Sequence, residues 1–217
     1  MTLFETAQFT TSVATFGELN AADLAMLPEL AFVGRSNAGK SSVINTLANR
    51  RQLAYASKTP GRTQLLNFFQ LSERGSDGVS SARAYAVDLP GYGFAKVDAS
   101  RRVAWDELAG GYLATRRFLV GVVLVMDARR PLVPADEALL TWLERRLQAS
   151  PLRVHMLLNK SDQLNRAERA AALRLVERRM ETLPLDASAQ LFSARTRDGL
   201  DQLRATVATI IEKARPG

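Results

Sequence analysis

The sequence holds no cysteine among its 217 residues. That excludes disulfides, cysteine-ligated zinc and a thiol nucleophile. Its one histidine, His155, sits within an apolar stretch, which reads as a packed side chain and not a ligand or base. No run reaches the roughly 18–20 apolar residues that a membrane-crossing helix needs. The longest, Phe118 to Met126, has the length of a strand. Neither Lys nor Arg occurs before Arg35, which argues against a secretory or mitochondrial leader. A soluble, cytoplasmic chain with no membrane span is expected. There is no internal repeat, no low-complexity segment, no linker marking a second domain, and no aromatic-rich RNA-binding signature.

What is present is ordinary globular composition, 47% apolar and 24% charged, enough for one α/β domain with its own core. Twenty-nine Lys and Arg against 22 Asp and Glu give a net charge of +7. That excess suits an anionic ligand and an RNA partner, although a solvated basic surface satisfies it equally. Arginine pairs recur at 50–51, 101–102, 116–117, 129–130, 145–146 and 178–179. Arg101 and Arg102 are the ones placed to report the state of a nearby site.

The chain is organised around Gly34-Arg35-Ser36-Asn37-Ala38-Gly39-Lys40-Ser41, which fits the phosphate-loop pattern G-x-x-x-x-G-K-[ST]. The apolar run Leu30–Val33 before it reads as a buried strand, and Ser42–Asn49 after it has helical spacing. Gly34 and Gly39 permit the turn, and the amides from Asn37 to Ser41 can face phosphate oxygens at a helix N-terminus. Lys40 supplies a point charge to the β- and γ-phosphates, and the Ser41 hydroxyl a magnesium ligand.

The remaining chain alternates strands and helices. An edge strand is expected within Phe9–Phe16 and a short helix at Ala21–Leu27, ended by Pro28. Gln52–Arg62 reads as a mobile loop. Strands follow at Leu65–Leu71 and Ala82–Val87, joined by a hairpin connection through Gly75 and Gly78. A helix weakened by Gly110-Gly111 spans Val103–Thr115. Beyond it come the strand Phe118–Met126, a helix at Ala135–Leu147, a strand at Val154–Leu158, a helix at Ala167–Leu183, a short strand at Gln190–Phe192 and a closing helix at Gly199–Ala214. This order predicts a mostly parallel, doubly wound sheet with helices on both faces.

Four further pieces fall at strand ends, where such sheets bind ligands. Asp88-Leu89-Pro90-Gly91 pairs an acid able to orient a magnesium-bound water with an amide free to meet a γ-phosphate. Singly, it is also an acidic turn. Asn159-Lys160-Ser161-Asp162 offers a carboxylate to guanine N1–H and the 2-amino group, donors that adenine lacks. Here Asn159 braces the loop and the Lys160 stem covers the base, although Asp162 also suits a helix N-cap. Phe192-Ser193-Ala194 presents amides to the guanine carbonyl. Thr63, in the mobile loop, completes the magnesium shell when a γ-phosphate is present. Their joint occurrence in this order points to a guanine nucleotide, and Asp162 disfavours an ATPase.

The sequence resembles the translation-factor-related class of P-loop GTPases, with a Ras-like domain. Within it, the sequence resembles the EngB (YihA or YsxC) family linked to large ribosomal subunit assembly. The resemblance runs from Glu29 to Ile211. It is carried by Gly34–Ser42, by Lys58-Thr59-Pro60-Gly61-Arg62-Thr63-Gln64 with Leu66-Asn67-Phe68, and by Asp88-Leu89-Pro90-Gly91-Tyr92-Gly93. It implies an N-terminal extension, residues 1–28, packed on a G domain of 29–217 that ends after one closing helix. It implies GTP and GDP binding by Gly34 to Ser41, by Gly61, Arg62, Thr63, Gln64 and Leu65, by Asp88 to Gly91, by Asn159 to Asp162 and by Phe192 to Ala194. Ser41 and Thr63 would ligate Mg2+, with Asp88 acting through water. Lys40, Thr63 and Gly91 would serve hydrolysis. Partners would be a large-subunit precursor or ribosomal RNA, not DNA, with a monomeric protein needed for cell division and septation. Family members often carry threonine where this chain has Asn159.

In many GTPases a glutamine after D-x-x-G orients the attacking water; here that residue is Tyr92, so slow intrinsic hydrolysis is expected. Help would come from a potassium ion beside Asn37, from Arg62 or Arg35 acting in cis, or from a large partner. Asn37 is read equally as a loop cap. Should turnover be negligible, the chain is instead a nucleotide-dependent binding module or scaffold on ribosome precursors.

Overall fold

The computed structural model describes residues 2–54, 65–75, 77–93, 103–146 and 152–214. Gly61, Arg62, Thr63, Gln64, Arg101 and Arg102 lie outside the described residues. Among the described residues seven strands form one sheet: β1 (Gln8–Val13), β2 (Glu29–Gly34), β3 (Leu66–Arg74), β4 (Ser80–Asp88), β5 (Leu119–Asp127), β6 (Arg153–Asn159) and β7 (Asp186–Leu191). They are accompanied, among the described residues, by the α-helices α1 (Phe16–Ala21), α2 (Lys40–Leu47), α3 (Gly111–Thr115), α4 (Pro134–Arg146), α5 (Arg166–Met180) and α6 (Leu200–Lys213).

The strand order is β1-β3-β4-β2-β5-β6-β7. β4, β2, β5, β6 and β7 run parallel, while the β3–β4 hairpin and the β1–β3 pair are antiparallel. The central strands are continuous apolar runs because both faces are covered, and all six residues of β2 are buried. Alternation assigns each residue to a face. Ala31, Val33, Val122 and Leu124 join Leu19, Tyr112, Leu113, Leu140, Leu143 and Val176 in one core, under α1, α3, α4 and α5. Leu30, Phe32, Val123 and Val125 join Val43, Ile44, Leu47, Leu203, Val207 and Ile210 in the other, under α2 and α6. The parallel, doubly wound architecture expected from the sequence is the one found.

The chain leaves β2 toward β3 and β4 on one side and returns at β5 on the other. The C-terminal end of β2 is therefore where the winding reverses, the position at which such sheets bind ligands. The parallel register brings Asp88 opposite Phe32, Val125 opposite Gly34, and Asn159 opposite Asp127 on that same edge.

One local expectation fails for an identifiable reason, and the helix expected over Val103–Thr115 is found with an added detail. The short N-terminal helix is Phe16–Ala21, not Ala21–Leu27. Thr15 caps it by accepting from the Glu18 N–H at 3.1 Å, while Glu18 accepts from the Ala14 N–H at 2.8 Å. The Thr15 cap, with Glu18 reaching back to the residue before it, starts the helix earlier than the apolar pattern suggests. The Gly110-Gly111 pair does not merely weaken its helix: Asp106–Gly110 forms a π turn, and regular α-helix resumes at Gly111. The N-terminal residues contribute β1 to the sheet edge, and Phe4 packs edge-on against Phe32 at 5.9 Å. Among the described residues no helix is long and apolar enough to cross a membrane.

His155 is buried in β6, with Nδ1 2.8 Å from Ser188 Oγ and the Gln190 side chain beside the ring. Burial lowers its pKa to about 4. The unfolded chain, with a histidine pKa of about 6.5, takes up the proton first. Stability from this site is therefore complete above about pH 6.5 and falls as pH drops toward 4, by on the order of 3 kcal/mol. Urea unfolding at pH 7, 5.5 and 4.5 should show a steeper acid loss in the wild type than in His155→Gln.

Candidate functional site

Past β2, Arg35 to Ala38 forms a turn closed by the Ala38 N–H donating to the Arg35 carbonyl at 3.0 Å. Asn37 and Gly39 take left-handed φ values of 68° and 93°. At Gly39 a Cβ would lie 2.3 Å from Asn159 Nδ2, so glycine is required by space as well as by φ. α2 then starts at Lys40 with no side-chain cap. Its first N–H groups and the positive end of its dipole are directed into the loop. The Lys40 ammonium bonds the Asp88 carboxylate from the end of β4.

Asn159, at the end of β6 and 2% exposed, joins two loops with one amide group. Nδ2 donates to the Ala38 carbonyl at 2.9 Å, and Oδ1 accepts from the Ala194 N–H at 3.2 Å. The bracing role expected of it is thus specific, tying the phosphate loop to the segment after β7. Lys160, at φ 66°, extends its stem alongside the loop. Its ammonium donates to the Asn37 carbonyl at 2.6 Å and to Asp127 Oδ2 at 2.9 Å. Burial alone would raise the Asp127 pKa, but hydrogen bonds from Arg129 and Lys160 outweigh it and hold the carboxyl well below the usual range.

Asp162 does not cap a helix. α5 is capped by Asn165, whose Oδ1 accepts from the Glu168 N–H at 3.0 Å while Glu168 accepts from the Asn165 N–H at 2.8 Å. This frees Asp162, in the short 3-10 turn Ser161–Gln163, to face Ser193. The Ser193 hydroxyl donates to Asp162 Oδ1 at 2.7 Å. Oδ2 is buried without a hydrogen-bond donor among the described residues, and the nearest cation is the exposed Arg195 at 3.6 Å. A pocket of about 250 Å³ opens here, lined by Gly39, Asn159, Lys160, Asp162, Gln163 and Arg195 among others. A buried carboxylate oxygen without a hydrogen-bond donor, beside such a pocket, is matched best by a ligand that donates.

The structure thus brings Gly34 to Ser41, Asp88 to Gly91, Asn159 to Asp162 and Phe192 to Ala194 to one sheet edge. Not all of these residues turn toward the pocket. Leu89 and Phe192 bury their side chains in the two cores. The Phe192 N–H donates to the Leu158 carbonyl, and the Ser193 N–H to the Asp198 carbonyl. Leu65 stands just before β3, half-buried. Sequence reasoning passed over Asp127 and Arg195. Asp127 had a signal: it is the acid that ends an apolar strand, as Asp88 is. Arg195 had none, since its place at the pocket rim depends on the turn after β7.

Residues 29–160 match the family described as 50S ribosome-binding GTPase. The chain is also 47% identical over 208 residues to the "Probable GTP-binding protein EngB" of Laribacter hongkongensis, covering 96% of this chain and 86% of that protein. The chain belongs to the EngB family of GTPases. The EngB protein of Aromatoleum aromaticum is 44% identical, with 96% and 89% of the two chains covered. A crystal structure of a probable EngB superposes with a TM-score of 0.58 at 18% identity, covering 85% of this chain and 99% of that one. A GTP-binding protein from Sulfolobus solfataricus in complex with GDP superposes with a TM-score of 0.60 at 19% identity, covering 92% and 56%. At these identities the structures speak for the P-loop GTPase fold, while the sequence relatives establish EngB membership.

The Asn159 bridge is open to a direct test. Asn159→Ala leaves the Ala38 carbonyl and the Ala194 N–H unpaired and should cost roughly 2–3 kcal/mol of unfolding free energy. Asn159→Asp should do no better, because a carboxylate oxygen would then face the Ala38 carbonyl. Denaturant unfolding of both variants checks this.

Proposed function

We propose that this EngB protein is a GTP-hydrolysing switch acting on precursors of the large ribosomal subunit. The observation that carries the nucleotide specificity is Asp162, whose buried, donor-free oxygen lies beside a pocket bounded by Asn159 and Lys160. Guanine supplies N–H donors from N1 and its 2-amino group, and adenine supplies neither. Gly34 to Ser41 would wrap the phosphates. Lys40 would exchange its Asp88 partner for phosphate oxygens, and the Gly91 N–H would meet the γ-phosphate.

Magnesium fits the donor set, since Ser41 and Asp88 are hard oxygen donors at this edge. Ser41 and Thr63 would ligate the ion directly and Asp88 through water, and a bound ion would neutralise charge on the phosphates. Hydrolysis by the protein alone should be slow. At the position of the water-orienting glutamine, Tyr92 has its hydroxyl committed to Asp136 at 2.6 Å. Activation would come from a potassium ion held beside Asn37, whose side chain is exposed, together with the ribosomal partner. Arg62 or Arg35 acting in cis is the lesser route. The same Tyr92 contact favours a second reading, a nucleotide-dependent scaffold with negligible turnover.

The ribosomal partner is supported by the description of the matching family and by the net charge of +7. A cytoplasmic, monomeric protein needed for cell division and septation follows from the resemblance to EngB.

Two measurements decide the matter. Fluorescent GDP should bind with magnesium present and be displaced by GTP but not by ATP, and Asp162→Asn should weaken it at least about 100-fold. Equal competition by ATP would overturn guanine recognition. GTP turnover should rise with large-subunit particles and be greater in potassium than in sodium. Rates indifferent to the particles leave the scaffold reading standing, and rates indifferent to the cation remove Asn37 from activation.

A further inference from the structure

The residues just past Asp88 to Gly91 are held by contacts that nucleotide binding does not require. Tyr92 is buried, and its hydroxyl donates to Asp136 Oδ1. Its ring packs edge-on against Trp105, with centroids 6.0 Å apart. Trp105 in turn donates its indole N–H to the Pro90 carbonyl at 2.9 Å. On the other side, the Ser36 N–H donates to the Tyr92 carbonyl at 3.0 Å, and the Tyr92 N–H donates to the Gly34 carbonyl at 3.3 Å. Gly91 sits so close to the phosphate loop that a Cβ would lie 3.0 Å from Ser36 Oγ and 3.1 Å from Ser36 N. Pro90 to Tyr92 is therefore gripped from three directions: the phosphate loop, the turn leading into α3, and the start of α4.

The Asp136 end of this grip is itself fixed. Asp136 is 1% exposed, and its Oδ2 accepts from the Val133 N–H at 3.1 Å. An acid at the third position of a helix, reaching back to the N–H before it, is half of a capping box. Burial raises its pKa, which reflects how little water reaches the carboxyl. Losing the Tyr92 hydroxyl would leave a buried acceptor without its partner, a cost well above that of an exposed hydrogen bond.

We infer that Tyr92 is a positioning residue. Its bond to Asp136 holds Gly91 close against the phosphate loop, and Trp105 senses that placement through the Pro90 carbonyl. The inference rests on the GTPase reading above and adds a device to it. A γ-phosphate that draws on the Gly91 amide draws on the two residues beside it, and through them on α3 and α4. Tyr92 thus has a task in place of the absent glutamine: it sets where the sensing amide stands and does not handle the water.

The chain has two tryptophans, so Trp142→Phe leaves Trp105 as the sole indole reporter. In that background Trp105 emission should differ between the GDP-bound protein and the protein bound to a non-hydrolysable GTP analogue. Tyr92→Phe keeps the ring and removes the hydroxyl. It should weaken the GTP analogue about 10-fold while GDP affinity stays within about 2-fold, and it should flatten the emission difference. Asp136→Ala should do the same, and the double variant should be no worse than either alone. Equal loss of both nucleotides in Tyr92→Phe would make the contact merely structural and overturn the inference. If Tyr92→Phe does not fold, the single-tryptophan protein decides, and identical emission with the two nucleotides overturns the inference. Failure of that protein to bind fluorescent GDP at all would instead overturn the nucleotide reading beneath it.

Discussion

One carboxamide holds the site together. Asn159 stands at the end of a strand buried on both faces, so its backbone is fixed by the sheet. Its two amide atoms reach in opposite directions, to the Ala38 carbonyl and the Ala194 N–H. Two irregular loops from opposite ends of the chain are thereby given fixed places relative to each other. Loops lack a ladder of their own and take their geometry from such cross-ties. Gly39 is then constrained in turn, because the space its side chain would need is filled by Asn159.

Charge at the same edge is arranged with similar economy. Lys40 is met by Asp88, and Lys160 by Asp127, which Arg129 also holds. Asp162 alone among these acids keeps a buried oxygen without a hydrogen-bond donor among the described residues. A buried, unmatched acceptor costs stability unless something donates to it. Among the acids at this edge, Asp162 is therefore the one with an acceptor left for an incoming donor.

Much of this was legible in the sequence because it depends on period and order. Continuous apolar runs marked the parallel strands, and the residues ending them, Asp88 and Asn159, fell on one edge as strand polarity requires. Ambiguity lay where one residue type serves two local purposes. Asp162 suits a helix cap as well as a base contact, and only the Asn165–Glu168 pair, three residues on, removes the first use. The N-terminal helix was misplaced because Thr15 and Glu18 start it ahead of the apolar pattern. The bond between Tyr92 and Asp136 spans 44 residues, and no local spacing foretells it.

The N-terminal strand has a consequence for how the molecule meets its own kind. β3 carries the hairpin whose far end supplies Asp88, and without β1 its backbone would form a bare rim, a ready template for another chain's strand. β1 covers that rim, and its register shifts between Phe9 and Thr11, with one residue more on β1 than on β3. An irregular rim makes a poor mould for copying. The strand thus covers the rim of β3 and puts an irregular edge in its place.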